Sequence, residues 1–350
     1  MRVALLTENR DDLRTAALAR HLRRYADVDV LRAGTAPTRD LAGVDVVHSH
    51  TWDTGLAGHL AKFQHGVPHV LTPPGLEPPA RVRRGALLVA DRIVVGSFQM
   101  RAELMRRHRE LAPRRVTVVH GGFDTQAYHP DGGTGALAAL GVRTDPAAVR
   151  HTVACVGRDL PEAALLNLLR AAPRLLPGTQ VVICAPGPEA ERAHGELAAA
   201  LRAEGCDLVW VRRTPSPRAV RQLLTFADVS VCPAGHDAPE PAALAAMACG
   251  TPVVATKAGC LTEVVHDGVT GLLVPPPAAH PEIYAKDLAD GINSLLADPQ
   301  KAAWMGETGL ARTEREFTFE AAAERLYAVY EAVSENKVKA QRMKTEPIRT

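Results

Sequence analysis

The sequence predicts an α/β protein made of two doubly wound units, each a parallel sheet with helices on both faces. Short β-branched apolar runs alternate with amphipathic segments rich in Ala, Leu and Arg along most of the chain. The runs are almost continuously apolar, which is typical of parallel strands covered on both faces. The alternation stops once, in the Gly/Pro-rich segment 129–148, and then restarts. A length of 350 residues also fits two domains of roughly 150 residues each.

Five strands are predicted before the Gly/Pro-rich segment. They are 3–6, 44–48, 69–72, 92–96 and 116–120. Amphipathic helices are predicted between them, for example at 56–63 and 100–109. Strands that alternate with helices in this way form βαβ units, so the first half is predicted to be one doubly wound domain.

The same pattern continues in the second half of the chain. The predicted strands are 151–157, 180–185, 207–211, 229–233, 251–256 and 270–275, and the closing helices are roughly 281–297, 299–312 and 318–333. The domains are therefore predicted at 1–145 and 150–315. The tail 335–350 is polar and basic, and we expect it to be disordered.

The composition excludes several classes of function. A net charge of +2 gives no electrostatic case for binding nucleic acid. No apolar run reaches the ~18 residues of a membrane span, and the start MRVALLTENR is too quickly polar for a signal peptide, so we expect a cytoplasmic protein. The six cysteines stand alone without a CxxC pair, which favours reduced thiols. Neither a metal site nor a cofactor is expected.

Two doubly wound domains form a cleft between the carboxyl ends of their strands, where ligands bind in such folds. Helix N-termini at these ends carry free N–H groups that suit a phosphate. The pattern alone thus predicts a two-domain protein that binds a nucleotide or a phosphosugar.

Several longer stretches carry a resemblance to a known family. They are HSHTWDTGLAGHLAKFQHGVPHVLTPPGLEP (48–78), ADRIVVGSFQMRAEL (90–104), VTVVHGGFDTQAYHP (116–130), VACVGR (153–158), ADVSVCPA (227–234) and MACGTPVVATKAGCLTEVVHDGVTGLLV (247–274). In order and spacing they resemble glycosyltransferase family 4, in particular its bacterial glycogen synthases and maltose-1-phosphate synthases. The resemblance covers most of residues 1–332.

The resemblance implies the GT-B fold, with two Rossmann-like domains, an interdomain cleft and a donor-nucleotide site in the second domain. A final helix, about 316–333, would cross back and complete the first domain. The implied activity is transfer of a hexose from a sugar nucleotide, with retention and without a metal. The implied partners are this sugar-nucleotide donor and a carbohydrate or small-molecule acceptor.

The resemblance also implies site residues. Arg158 follows the family's "V-G-R" and would hold the donor diphosphate. Asp237 aligns with the first of two family glutamates, and Glu240, one helical turn on, could stand in for it. The loop with Gly259 and Glu263 would lie near the donor sugar.

Each of these residues also has a plain structural explanation. Asp237 and Glu240 could be solvated acids at a helix start, and Glu263 a carboxylate in the first turn of a helix. His50, Trp52 and Asp124 are interpreted as lining the cleft, and packing is preferred over sugar stacking for the tryptophan. TPSP in 212–220 is interpreted as a helix start, and Gly122 as a turn residue.

Four positions depart from the family pattern. The first loop (7–22) has no glycine, Pro74 replaces a histidine, Ala163 replaces a lysine, and Ala245 replaces the second glutamate. Two alternatives to an active transferase therefore remain open. One is a catalytically silent relative that acts as a binding or partner subunit, and the other, disfavoured, is a sugar-nucleotide epimerase of the same fold.

Overall fold

The structure is a computed structural model that describes residues 1–8, 12–32, 41, 43–76, 87–157, 160–185, 188–233, 240–276 and 281–345. The chain divides into two compact units. Unit 1 contains residues 1–122 and 317–350, and unit 2 contains residues 123–316. Each unit has one six-stranded sheet, and every strand pair is parallel. The predicted fold class is thereby confirmed.

The sheet of unit 1 has the strand order β2-β1-β3-β4-β5-β6. Its strands are β1 (Arg2–Thr7), β2 (Asp27–Arg32), β3 (Val46–Ser49), β4 (His69–Leu71), β5 (Arg92–Val95) and β6 (Val116–Val118). The five strands predicted from sequence are all present. β2 was not predicted, because DVDVLR alternates polar and apolar residues, as suits a strand at the sheet edge.

Three helices of unit 1 begin just after strands, and each has a polar N-cap. They are α1 (Leu13–Leu22), α2 (Trp52–His65) and α3 (Phe98–Arg107). The side chains of Asp12, Thr51 and Ser97 accept backbone N–H groups in the first turns of α1, α2 and α3. Such caps satisfy donors that a helix start leaves unpaired, so they fix where each helix begins.

The sheet of unit 2 has the order β12-β11-β10-β7-β8-β9. Its strands are β7 (His151–Val156), β8 (Thr179–Cys184), β9 (Asp207–Trp210), β10 (Val229–Cys232), β11 (Val253–Thr256) and β12 (Gly271–Val274). Its helices are α4 (Glu162–Ala171), α5 (Pro188–Ala203), α6 (Pro217–Phe226), α7 (Glu240–Ala248), α8 (Leu261–Val264), α9 (Pro281–Leu296) and α10 (Pro299–Glu316). All six strands agree with the sequence prediction within a few residues.

The last helix, α11 (Phe319–Thr345), belongs to unit 1. Its residues Ala323, Leu326 and Tyr330 are buried in one core with Val3 and Leu5 of β1. The helix continues ten residues beyond Glu335, where we had expected disorder to begin. The correction has a simple cause, because the stretch 335–345 is rich in helix-forming Glu, Lys, Ala, Gln, Arg and Met and contains no Gly or Pro.

The boundary between the units also differs from the sequence prediction. The Gly/Pro-rich segment was expected to separate the domains, but all of it lies in unit 2, which begins at Phe123. Side chains of the sheet and helices hold it there. Asp131 pairs with Arg221, Gln222 accepts a hydrogen bond from the Ala136 N–H, and Arg143 pairs with Asp207.

Candidate functional site

In both sheets the chain changes direction beside the first strand. β1 lies between β2 and β3, and β7 lies between β8 and β10. Loops that leave such a switch point run to opposite faces of the sheet, which opens a crevice at the carboxyl ends of the strands. Among the predicted site residues, His50 directly follows β3 in unit 1, and Gly259 lies in the loop that follows β11 in unit 2.

Unit 2 has a pocket of about 120 Å³ at the carboxyl ends of β7 and β8. Val156, Gly157 and Cys184 supply the strand ends, and the other lining residues are Tyr128, Thr214, Pro215, Pro217 and Val220. The pocket is smaller than the ~300–1,000 Å³ of a site that encloses a whole ligand, so it fits one part of a larger ligand.

The TPSP stretch forms the start of α6, as predicted. Ser216 is the N-cap and accepts the Ala219 N–H at 3.2 Å, and Pro217 is the first helical residue. Because Thr214, Pro215 and Pro217 line the pocket, the same stretch that starts the helix also shapes the pocket wall.

Tyr128 lines this pocket from a segment that is fixed on both sides. Asp124 is exposed and its carboxylate accepts the Gln126 and Ala127 N–H groups at 3.0 and 2.9 Å. Arg221 donates to Asp131 at 3.0 Å and to the Ala127 carbonyl at 3.2 Å. The Gly133 N–H and then Arg221 lower the pKa of Asp131, so its carboxylate stays charged.

A second fixed loop follows β11. Gly259 has φ +63°, a left-handed conformation that favours glycine. Its carbonyl accepts the Thr262 hydroxyl at 2.9 Å, and Glu263 lies in the short helix α8. Arg312 of α10 donates to the carbonyls of Glu263 and Val264 at 2.9 and 3.2 Å, so it holds the end of α8 in place.

Three predicted site residues are not placed in detail. Arg158 and Asp237 lie outside the described residues, and Glu240 is the first residue of α7, with no side-chain description. Two of the positions that depart from the family pattern lie in helices of unit 2. Ala163 is exposed in the first turn of α4, and Ala245 is buried in α7 with 6% exposure.

In unit 1, two buried histidines lie in neighbouring strands, His48 one residue before the carboxyl end of β3 and His69 at the start of β4. His48 shares hydrogen bonds with the Tyr330 hydroxyl at 2.6 Å and the Thr72 hydroxyl at 2.8 Å. His69 shares one with the Ser49 hydroxyl at 2.6 Å. Burial lowers the pKa of His69 to about 4 and that of His48 well below its ordinary range, so both rings are neutral.

Both ring nitrogens of His50 are buried without a hydrogen bond of ordinary geometry among the described residues, and Nδ1 of His69 is also without one. The ring centroid of His50 is 4.2 Å from that of His48. Burial lowers the pKa of His50, opposed by a hydrogen bond with the Leu6 backbone and by Asp12. Because buried polar groups are nearly always paired, this imidazole after β3 has room for a further hydrogen-bond partner.

Trp52 packs in the core of unit 1 with Leu71 and Ile93 and is only 6% exposed. It therefore presents no open ring face to a sugar. Pro74 is exposed in the loop after β4.

The predicted turn conformation at Gly122 is wrong. Gly122 has no positive φ, and a Cβ at this position would lie 2.7 Å from the Phe319 Cα. The glycine instead allows the start of α11 to approach the strand that precedes it.

Four residues of these sites were not found from sequence, namely Tyr128, Arg221, His69 and Arg312. Three of them contact a partner that is distant in the chain, namely Asp131 for Arg221, Ser49 for His69 and Glu263 for Arg312. For Tyr128 a signal was available, because it lies within the family-like stretch 116–130.

Among the described residues, no three His, Cys, Asp or Glu side chains are grouped as metal ligands, and none of the described helices is long and apolar enough to span a membrane. All six cysteines are free. Burial raises the pKa of Cys184 and Cys232 to about 12, so these thiols stay protonated.

Two family models match the chain. The model described as Glycosyltransferase Family 4 matches residues 7–127, and the model described as Glycosyl transferases group 1 matches residues 146–312. The first match covers β2 to β6 of unit 1, and the second covers all six strands of unit 2.

Curated relatives match over most of the chain. The chain is 37% identical over 330 residues to an alpha-maltose-1-phosphate synthase of Mycolicibacterium smegmatis, covering 88% of this chain and 84% of the relative. It is 34% identical over 334 residues to a D-inositol 3-phosphate glycosyltransferase of Kribbella flavida, covering 87% and 75%.

Solved structures share the fold. Anabaena Alr3699/HepE in complex with UDP and glucose has a TM-score of 0.70 at 19% identity, covering 95% of this chain and all of that one. Sucrose-phosphate synthase from Thermosynechococcus elongatus has a TM-score of 0.71 at 22% identity, covering 96% and 100%.

Proposed function

Because the chain belongs to the family-4 glycosyltransferases and has their GT-B fold, we propose that it transfers a hexose from a sugar nucleotide to a phosphorylated sugar or cyclitol. The pocket at the carboxyl ends of β7 and β8 carries this proposal. It lies beside the first strand of unit 2, at the carboxyl ends of the parallel strands, which is the side of the sheet where doubly wound folds bind nucleotides.

In this proposal the 120 Å³ pocket takes one part of the donor nucleotide, packed between Tyr128 and the start of α6. The size supports this, because the pocket is too small for a whole sugar nucleotide and suits one ring. The ring of Tyr128 and the prolines at 215 and 217 offer flat apolar surface of the kind that stacks on a planar base.

Arg158, which follows the end of β7 by two residues, is proposed to bind the diphosphate of the donor. A nucleoside diphosphate leaves as the C1–O bond of the hexose breaks and the acceptor oxygen bonds to C1. An arginine stabilises the negative charge that develops on the leaving group without the help of a metal, and losing one such contact typically costs ~10²–10³ in rate.

Glu263 and Gly259 are proposed to contact the donor sugar, with Asp237 or Glu240 orienting it. The α8 loop is held in a fixed position, which supports this role, because Arg312 donates hydrogen bonds to the carbonyls of Glu263 and Val264. In unit 1, His50 is proposed to face the acceptor, since its unpaired nitrogens would gain a partner there. Asp124 fixes the turn that follows it. Trp52 packs in the core of unit 1.

The acceptor class follows from the names of the relatives. Both an alpha-maltose-1-phosphate synthase and a D-inositol 3-phosphate glycosyltransferase are named for a phosphorylated sugar or cyclitol. Adding a glucose to glucose 1-phosphate gives a maltose 1-phosphate. Glucose 1-phosphate and inositol phosphate are therefore the first acceptors to test.

The first experiment measures nucleotide binding by calorimetry and thermal unfolding with UDP, ADP and GDP. One nucleotide is expected to bind, and a concentration of 100 times its Kd should stabilise the protein by about 2.7 kcal/mol. Arg158→Ala should abolish this shift. Arg150→Ala is the matched control, because Arg150 precedes β7 at the opposite end of the strand.

The second experiment measures release of the same nucleoside diphosphate from its glucose conjugate, with and without each acceptor. Acceptor-dependent release that Arg158→Ala lowers by ~10² or more supports transfer. Binding without release for any acceptor would support a silent relative instead. If no nucleotide binds to the folded protein, the proposed function is wrong.

A further inference from the structure

A larger cavity, of about 380 Å³, lies at the amino ends of β8 and β9 in unit 2. Thr179, the first residue of β8, lines this cavity, whereas Cys184, the last residue of β8, lines the pocket proposed for the donor. At about 3.3 Å per residue the two residues are roughly 16 Å apart, so the cavity is not part of the donor site. Its volume is in the range of sites that enclose a small molecule.

Hydrogen bonds hold the walls of this cavity in place. The buried Gln180 side chain accepts the Arg143 N–H at 3.0 Å and donates to the Arg143 carbonyl at 3.3 Å. The Asn293 side chain of α9 accepts the Leu176 N–H at 3.0 Å and donates to the Arg174 carbonyl at 2.8 Å. Two lining segments are therefore tied to the sheet and to a long helix, which keeps the cavity open.

The lining combines apolar side chains with a few charges. The apolar side chains that are buried or half-buried are Ala172, Leu175, Leu176, Val181 and Leu208. Among the described residues that line the cavity, the charged ones are Arg143, Glu204 and Asp207. Arg143 and Asp207 form an ion pair with each other, whereas Glu204 has no ion-pair partner in the described part of the chain. The lining therefore carries one carboxylate whose charge is not balanced.

Two helices end at this cavity. Residues 172–173 directly follow α4, residues 204–206 directly follow α5, and all of them line the cavity. A helix C-terminus carries partial negative charge, which favours a cation nearby. The basic residues in the last turns of these helices, Arg170 and Arg202, are not among the described residues that line the cavity. The helix ends and the unbalanced carboxylate thus make the cavity complementary to a positive charge.

We propose that this cavity binds a small organic cation, with its apolar body against the leucine side chains and its ammonium group beside Glu204. A primary amine joined to a short aliphatic or aromatic group has this chemistry. An anion of the same size would meet the Glu204 carboxylate and both helix ends, while Arg143 is already engaged by Asp207. This site is separate from the proposed sugar transfer and does not depend on it.

Cys206 allows binding in the cavity to be measured. It lines the cavity, and its free thiol is half-buried. Burial and then Glu204 raise the pKa of Cys206, so the thiol is protonated at neutral pH and reacts slowly with alkylating reagents. Cys260 is half-buried as well, whereas the other four cysteines are buried. A ligand in the cavity should therefore protect Cys206 from iodoacetamide, and Cys260 is the internal control.

The probe is 2-phenylethylamine, compared with neutral 2-phenylethanol and anionic 3-phenylpropionate of similar shape. Alkylation of the full chain is followed by peptide mass spectrometry over a concentration series of each probe. A ligand of this size should bind with a Kd on the order of 1 mM. At about four times its Kd the amine should slow alkylation of Cys206 about fivefold, because only the unliganded protein reacts. Alkylation of Cys260 should not change.

Two variants test the geometry of the site. Glu204→Gln should raise the Kd of the amine about fivefold and leave that of the alcohol unchanged, with Glu307→Gln on α10 as the matched control. Ala148→Trp should fill the cavity from an exposed lining position and remove the dependence of Cys206 alkylation on the amine. Ala147→Trp, at an exposed position outside the lining, is its control.

Several outcomes would overturn the proposal. One is a folded protein in which the amine does not protect Cys206, and another is equal slowing at Cys260. Equal protection by the alcohol or the carboxylate would show that the cavity does not select a positive charge. An unchanged amine affinity in Glu204→Gln would do the same. Thermal unfolding checks that each variant is folded, and none of these readouts depends on nucleotide binding or sugar transfer.

Discussion

At the scale of single residues, the histidines of unit 1 show how burial decides chemistry. His48 and His69 are neutral because burial penalises the charged ring, and each has hydroxyl partners that suit a neutral imidazole. His50 shares the burial but has no hydroxyl partner of ordinary hydrogen-bond geometry among the described residues, and the Leu6 backbone opposes the lowering of its pKa. The three rings therefore differ in the hydrogen bonds that they can still form. This holds even for His48 and His50, which stand in the same short stretch, HSH.

The lowered pKa of His69 makes stability depend on pH. The unfolded chain protonates this ring near pH ~6.5 and the folded chain only near about 4, so the unfolded state binds more protons between these values. Stability is thus full above pH ~6.5 and is lost as the pH falls. At pH ~5 the loss from His69 alone is about 2 kcal/mol.

Urea unfolding at neutral and mildly acidic pH measures this loss. His69→Gln should reduce the difference between the two conditions by about 2 kcal/mol relative to wild type. His65→Gln, at an exposed position of α2, is the control and should leave the difference unchanged. An unaltered pH dependence in His69→Gln would contradict this cause.

Sequence reasoning reached only some of these residues. His50, Gly259 and Glu263 were singled out because they lie in stretches that resemble the family, and their roles in the site stay predictions. The Tyr330 hydroxyl on His48 was out of reach, because 282 residues separate the partners in the chain. Such a contact follows from tertiary packing and not from any local pattern.

At the scale of elements, polar residues at the strand ends set where helices start, and distant side chains fix the loops. Of the caps Thr51, Ser97 and Ser216, the last lies in the TPSP stretch that was predicted to start a helix. The support that Arg312 of α10 gives to α8 is not visible in this way. Four-residue helices such as α8 are too short to be stable alone, so an external contact has to hold them.

Arg312→Ala should therefore loosen α8 and the loop that contains Gly259. Two carbonyls lose a charged donor, which we expect to destabilise unit 2 by about 2 kcal/mol. Arg315→Ala on the same helix removes an exposed pair with Glu316 and should cost less than about 0.5 kcal/mol. Thermal unfolding and hydrogen exchange of residues 257–266 measure the difference.

The same variant tests the role proposed for Glu263. If the α8 loop contacts the donor sugar, Arg312→Ala should weaken binding of the sugar nucleotide more than binding of the nucleoside diphosphate alone. Equal weakening of both ligands would mean that Arg312 only stabilises the unit.

At the scale of the whole molecule, the two units differ in how the chain builds them. Unit 2 is one continuous stretch, 123–316, whereas unit 1 combines residues 1–122 with 317–350. The sequence indicated two sheets correctly through the repeated strand pattern. It placed the boundary in the Gly/Pro-rich segment, because the side chains that tie this segment to unit 2, Asp131 and Arg143, have partners more than 60 residues away.

Separate expression of the two pieces tests this construction. Residues 123–316 should unfold cooperatively alone, because their core cluster is contained within the stretch. Residues 1–122 should not, since they lack the buried Leu326 and Tyr330 of α11. Circular dichroism should show a cooperative transition for 1–122 only when a 317–350 peptide is added. Cooperative unfolding of 1–122 by itself would refute this.

The placement of α11 has a consequence for synthesis on the ribosome. Chains emerge from the amino terminus, and domains generally fold in that order. Here β1 leaves the exit tunnel before unit 2, whereas the helix that covers it, Phe319–Thr345, leaves after unit 2. Unit 2 is therefore complete while unit 1 still exposes the apolar face of its sheet. The nascent protein is most exposed to aggregation in the interval between the synthesis of unit 2 and that of α11.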